Sequence, residues 1–226
     1  MLTATFMLAG VIQLAIFVLI FRLYKENRSI YTAIAMITVF GIFYDNFIIS
    51  IGQFIGEGDF LYQLNAVRFV VHGIVTPLMI MFGWGMAVGY ELSWHKKQWI
   101  FWGFAGLTAV FVALGFYEEV ITLSLAPEWD GEILRYTHTV SSGPPLASIV
   151  VIIVNIVVGG FLWRQKGQSA LCICSILMFI FAGAGASILV LSNIGEVFFA
   201  AGVYITDRNL QAQNDVAVAE PNLQPS

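Results

Sequence analysis

Long apolar runs separated by short polar breaks dominate the chain. Six are clearly bounded, at 4–22, 30–51, 67–90, 98–117, 146–163 and 169–190. The short breaks read Tyr24-Lys25-Glu26-Asn27-Arg28, Gly56-Glu57-Gly58-Asp59, Trp94-His95-Lys96-Lys97 and Arg164-Gln165-Lys166. A longer acidic segment runs from Glu118 to Pro145. As a helix, about 18 or more apolar residues are enough to cross a hydrocarbon layer of about 30 Å. The pattern predicts an all-α integral membrane protein.

The last apolar stretch, 169–206, contains one charge, Glu196. As a single helix it would run about 57 Å at about 1.5 Å per residue, roughly twice the hydrocarbon thickness. Two helices and a tight turn are expected instead. The turn is placed near Ser192-Asn193, with Gly183 to Ser187 as the alternative break. The second of these helices, 193–206, is a short seventh span. From 207 to 226 the chain is polar, and a disordered cytoplasmic tail is expected.

Lysine and arginine set the orientation. Arg22, Lys25, Arg28, Lys96, Lys97, Arg164, Lys166 and Arg208 fall on one side of the alternating pattern, and only Arg68 and Arg135 on the other. Eight against two makes the first side cytoplasmic. The expected architecture is a seven-transmembrane-helix bundle in the cell membrane, with its N-terminus outside and its C-terminus in the cytoplasm. Residues 1–206 form its one domain.

The segment between the fourth and fifth spans has a different period. Ile121 to Leu125 and Leu134 to Val140 alternate in polarity and are rich in β-branched residues. Ala126 to Gly131 between them carries turn signals. A short external β-hairpin is expected there, with an irregular interfacial loop as the other reading.

Composition narrows the function classes. Hydrophobic residues make up 59% and charged residues 11%, against about 25% charged in soluble domains. No nucleic-acid partner is expected. The expected partners are membrane lipids and a lipophilic small molecule. Cys172 and Cys174 lie two apart inside an apolar run, so neither a disulfide framework nor a metal pair is implied. Nothing in the chain requires a cofactor. Small residues within the spans, among them Gly83, Gly85, Gly89, Gly159, Gly160, Gly183, Gly185 and Ser187, read as helix-packing positions.

Ionisable residues inside spans are costly and point to function. In the second span Asp45 stands beside a face formed by Asn46, Ser50 and Gln53. The third span opens with Arg68, His72 and Thr76 at four-residue spacing on one face, just before the helix-bending Pro77. The last span holds Asn193 and Glu196. The topology gathers Asp45, Asn46, Arg68, His72, Glu118, Glu119 and Glu196 toward the external leaflet and leaves the cytoplasmic half almost without buried charge. An Asp45–Arg68 ion pair would explain how both are tolerated. Asp45, Glu196 and His72 are the candidate catalytic residues. Asn46, Arg68, Thr76 and Asn193 are the candidate substrate-binding residues. The structural alternatives are an interfacial Arg68, a hydrogen-bonded structural His72, and solvated Glu118 and Glu119.

Seven-helix families constrain this further. Residues 192–206 contain no lysine for a retinal Schiff base. His72, His95 and His138 fall on opposite sides of the bundle, which disfavours the zinc-dependent membrane hydrolases. In layout the chain resembles the small seven-helix terpene cyclases, which carry carboxylic acids on the second and last helices, positions held here by Asp45 and Glu196. The resemblance stops at layout, because the residues around Asp45 and Glu196 do not carry those enzymes' motifs.

An intramembrane enzyme acting on a lipid or isoprenoid follows from these residues, since a carboxyl group in a low dielectric can hold its proton and act as a general acid. A receptor-like sensor with an external small-ligand pocket and a proton-coupled transporter are the alternatives. The loops on the cytoplasmic side leave a signalling partner little surface. Confinement of the titratable groups to one half leaves a carrier no path across.

Overall fold

The computed structural model describes residues 2–139, 145–185 and 188–219. Helix α1 (Leu2–Asn27) turns through Arg28, at a φ of 51°, into α2 (Ile30–Ile55). Ser29 caps α2 by accepting a hydrogen bond from the Tyr31 amide at 3.2 Å, which satisfies one of the donors left open at a helix start. Gln53 donates to the Thr3 hydroxyl at 2.8 Å, so the end of α2 lies beside the start of α1.

Helix α3 (Asp59–Val75) continues through a 3-10 turn at Thr76–Leu78 into α4 (Met79–Gly89). Pro77 has no amide proton for the carbonyl one turn earlier, and the ladder tightens there instead of running on. Helix α5 (Gln98–Phe116) ends in a π turn, Tyr117–Ile121. Strands β1 (Leu125–Asp130) and β2 (Ile133–His138) follow, then α6 (Leu146–Lys166), α7 (Ala170–Gly185) and α8 (Leu189–Ala219).

Among the described residues, five helical rods are long and apolar enough to cross a membrane: Leu2–Asn27, Ile30–Ile55, Asp59–Gly89, Gln98–Ile121 and Leu146–Lys166. These apolar helices fit a multi-pass membrane protein. Helix α7, with 16 residues, spans about 24 Å at about 1.5 Å per residue.

Polar contacts sort the helix termini into two ends. At one end the start of α1, the end of α2 and the start of α3 meet the β-hairpin. Glu132 accepts from the Thr3 amide at 3.0 Å, and Trp129 donates to Glu57 at 2.9 Å. At the other end Ser93 donates to Gln165, Asn209 to Gln168, and Gln211 to Glu26. This second end carries the lysine- and arginine-rich breaks.

Three differences from the sequence expectation stand out. The final reversal lies between Gly185 and Leu189, so the break falls at the glycine-rich position and not at Ser192-Asn193. Asn193 is therefore inside a helix. The last helix does not stop at Thr206, because the contacts of the next two turns hold it to Ala219. Tyr90 donates to the Thr206 carbonyl at 2.8 Å, and Leu210 packs on Gly89. Residues 220–226 and Ser187 lie outside the described residues.

The third difference is in the hairpin. Its antiparallel register pairs Leu125 with His138 and Asp130 with Ile133. The turn is Gly131-Glu132, with Gly131 at a φ of 60°, so most of the segment with turn-like composition is itself strand β1. Val140, expected at the end of the second strand, lies outside the described residues.

In a bilayer, lipid tails are as apolar as leucine, so close packing and interhelical polar contacts decide association. The central cluster joins Ile16, Ile20, Val39, Met79, Phe82, Leu162 and Phe199. A second cluster of Ile48, Leu61, Leu134 and Tyr136 fastens the hairpin to α2 and α3. Two of the contacts that need glycine shape the hairpin end and the α3–α5 seam. A Cβ on Gly52 would sit 2.0 Å from the Leu134 carbonyl oxygen, and one on Gly115 would sit 2.0 Å from that of Gly73. The first lets β2 lie on α2, and the second brings α3 and α5 together.

Candidate functional site

The polar side chains of α1, α2, α3 and α8 meet in two linked chains of hydrogen bonds. The first starts at Asp45. Its carboxylate accepts from Arg68 Nε at 2.8 Å, with Arg68 only 7% exposed and Asp45 22%. Arg68 Nη1 donates to Asn65 Oδ1, which also accepts the Tyr136 amide at 3.2 Å. Asn65 donates in turn to the Leu61 carbonyl at 2.8 Å. The ion pair is thereby locked to the hairpin, and Tyr44 adds a tie from its hydroxyl to the Leu64 carbonyl at 3.0 Å.

The second chain centres on Asn46, which is fully buried. Its amide nitrogen donates to Gln13 Oε1 at 3.0 Å and to Glu196 Oε2 at 3.2 Å, joining α1, α2 and α8. Asp45 and Asn46 are adjacent, so one turn of α2 organises both carboxylates. The charges of Asp45 and Arg68 reach Glu196 and also His72. The two carboxylates are held differently: Asp45 faces a guanidinium, whereas Glu196 is met by a neutral amide.

His72, one turn along α3 from Arg68, has its Nε2 2.9 Å from the Ser148 hydroxyl in the first turn of α6. His72 is exposed at the bundle surface, and Glu196 is partly exposed. The hairpin, seated on the ends of α2 and α3, covers the same end of the bundle.

Of the residues singled out in the sequence, Asp45, Asn46, Arg68, His72 and Glu196 converge. Asn193 is buried one turn before Glu196 and accepts from Ser192 at 3.3 Å. Thr76 opens the 3-10 turn, and no described side-chain contact ties it to the cluster. Ser50 and Gln53 turn to α1, where Ser50 lies 3.9 Å from the Met7 sulfur. Glu119 is not a solvated loop residue: it packs on Gly73, and its Oε2 is buried without a hydrogen-bond partner among the described residues. Glu118 is exposed.

Sequence reasoning missed Gln13, Asn65 and Ser148. Gln13 was legible as the one amide in the first apolar run. Asn65 lies just outside the third expected span, and nothing local distinguishes Ser148. The other end of the bundle also departs from expectation. Asp207 is 3% exposed, faces the Thr32 hydroxyl, and has one carboxylate oxygen without a partner among the described residues. The basic end therefore holds a buried carboxylate too.

No protein-family model matches this chain, and no curated protein matches it in sequence.

Proposed function

We propose that the chain crosses the cell membrane seven times with its N-terminus outside, and that it acts there as an enzyme on a lipid or isoprenoid with Glu196 as general acid. The unequal treatment of two neighbouring carboxylates carries this reading. Asp45 is tied to Arg68 and serves as a fixed anion. Glu196 is held by the neutral Asn46 amide, is partly exposed, and is the group free to give up a proton.

The chemistry is proton-initiated rearrangement. The Glu196 hydroxyl transfers its proton to an alkene carbon or an epoxide oxygen, leaving a carbocation in the substrate and a carboxylate on Glu196. The Asp45 carboxylate lowers the energy of that cation through space, an effect that is strong in a water-poor site. A neighbouring carbon–carbon double bond can attack the cation and close a ring, which moves the positive charge to the far alkene carbon; in either case a C–H bond beside the final cation supplies the electrons for a new alkene and releases its proton. The proton released goes to His72, which Ser148 orients, and its return to Glu196 resets the site. Asn193 and Thr76 are the proposed contacts to the substrate body.

A proton-coupled carrier gains one observation, the buried Asp207 at the opposite end. The stretch of α8 between it and Glu196 presents the buried apolar residues Phe199, Ala200 and Val203, which favours the enzyme. Lipids copurifying with the protein, identified by mass spectrometry, test the reading. A bound isoprenoid or other unsaturated lipid supports it. A bound water-soluble ligand overturns it in favour of a sensor.

A further inference from the structure

A second ligand-sized feature lies at the other end of the bundle, between α5 and α6. Two adjoining apolar crevices of ≈ 230 and ≈ 470 Å³ share Trp99, Ile100, Phe104 and Val154 as walls. Helix α5 packs against α3 and α4, and Gly103 has nothing within 4 Å of where a Cβ would stand. The gap therefore reflects a helix held away from its neighbour and a missing side chain.

The wall is rigid and aromatic. Trp94 stacks on Phe104 with ring centroids 6.1 Å apart and meets Phe161 edge-on at 5.8 Å. The lining is entirely apolar, and the charge lies beside it. Lys97 lines the larger crevice through its apolar stem, with the exposed Lys96 beside it. Trp94 lines it too, with ring carbons, its indole N–H being buried. The groove thus combines an apolar trough with a cation at its edge.

We infer that this groove binds one acyl chain of an anionic phospholipid, whose phosphate sits on Lys97. Charge selects the occupant. A zwitterionic headgroup brings its own cation to the two lysines, and a neutral lipid offers Lys97 no counter-charge. Aromatic and lysine side chains at the level of the headgroups, with apolar surface below, are the chemistry expected of such a site. The inference is independent of the chemistry proposed at Glu196.

Native mass spectrometry of the full chain in detergent micelles tests it, with phosphatidylglycerol and phosphatidylcholine of identical acyl chains as probes. The wild type is expected to retain phosphatidylglycerol about fivefold better, the scale of one lysine at an anionic lipid surface. Lys97→Gln brings the two lipids close to parity. Gly103→Leu, which fills open space and leaves helix packing intact, reduces retention of both. Equal retention of the two lipids by the wild type overturns the inference. So does a preference that survives Lys97→Gln, or retention that Gly103→Leu leaves unchanged.

Discussion

Asn46 donates to Glu196 across 3.2 Å while its neighbour Asp45 accepts from Arg68 at 2.8 Å. One turn of α2 therefore holds two carboxylates in different chemical settings, one paired with a cation and one with an amide. The proposed division of labour, a fixed anion beside a proton donor, rests on this relationship.

The ion pair makes a stability prediction. Removing one partner of a buried pair leaves an uncompensated charge and costs about 3–5 kcal/mol. Arg68→Met is expected to lower thermal stability in detergent by about that amount. Combining it with Asp45→Asn should recover most of the loss. If the two substitutions are simply additive, the carboxylate and guanidinium are not coupled.

Glycine contacts make a second. Gly115→Ala drives a methyl group into the Gly73 carbonyl and should destabilise the protein by about 1–3 kcal/mol, the range for overpacking. Gly160 and Gly183 have open space around them. Alanine there should be neutral or stabilise by up to about 1 kcal/mol through helix propensity. Thermal unfolding of the three variants separates these outcomes, and equal effects would refute the close α3–α5 contact.

Much of the fold was legible because burying backbone polar groups in lipid requires helices, and helices of this length need long apolar runs. Asp45, Arg68 and Glu196 were legible because charge inside such runs is rare. What escaped depends on contacts distant in sequence. Leu189 to Ala219 is one helix because Tyr90 and Gly89 hold its last turns, which no local pattern around Thr206 announces. Pro127 and Asp130 resemble turn residues, yet both stand in β1. A two-stranded ribbon has free edges where a proline's missing donor costs little, and the reversal itself needs only Gly131-Glu132. Asn65 joins the site through Arg68 and the Tyr136 amide, a meeting of α3 with a hairpin that only the folded chain reveals.

The orientation makes a third prediction. In a background with both native cysteines replaced by serine, Asp130→Cys in the hairpin should react with a membrane-impermeant maleimide on intact cells. Lys97→Cys and Lys166→Cys should react only after permeabilisation. The reverse pattern would invert the bundle and place Glu196 in the cytoplasmic half.

Proton donation by Glu196 is the central claim, and comparing lipids from cells expressing the wild type and Glu196→Gln tests it most directly. Because the proposed reaction adds one proton and releases one, substrate and product share an elemental composition and differ in chromatographic retention. The account predicts a wild-type lipid absent from Glu196→Gln cells, replaced by an isomer of the same mass that remains bound to the purified variant. If Glu196→Gln is present in the membrane at wild-type levels and yields the wild-type lipid profile, Glu196 is not the acid and the proposal fails.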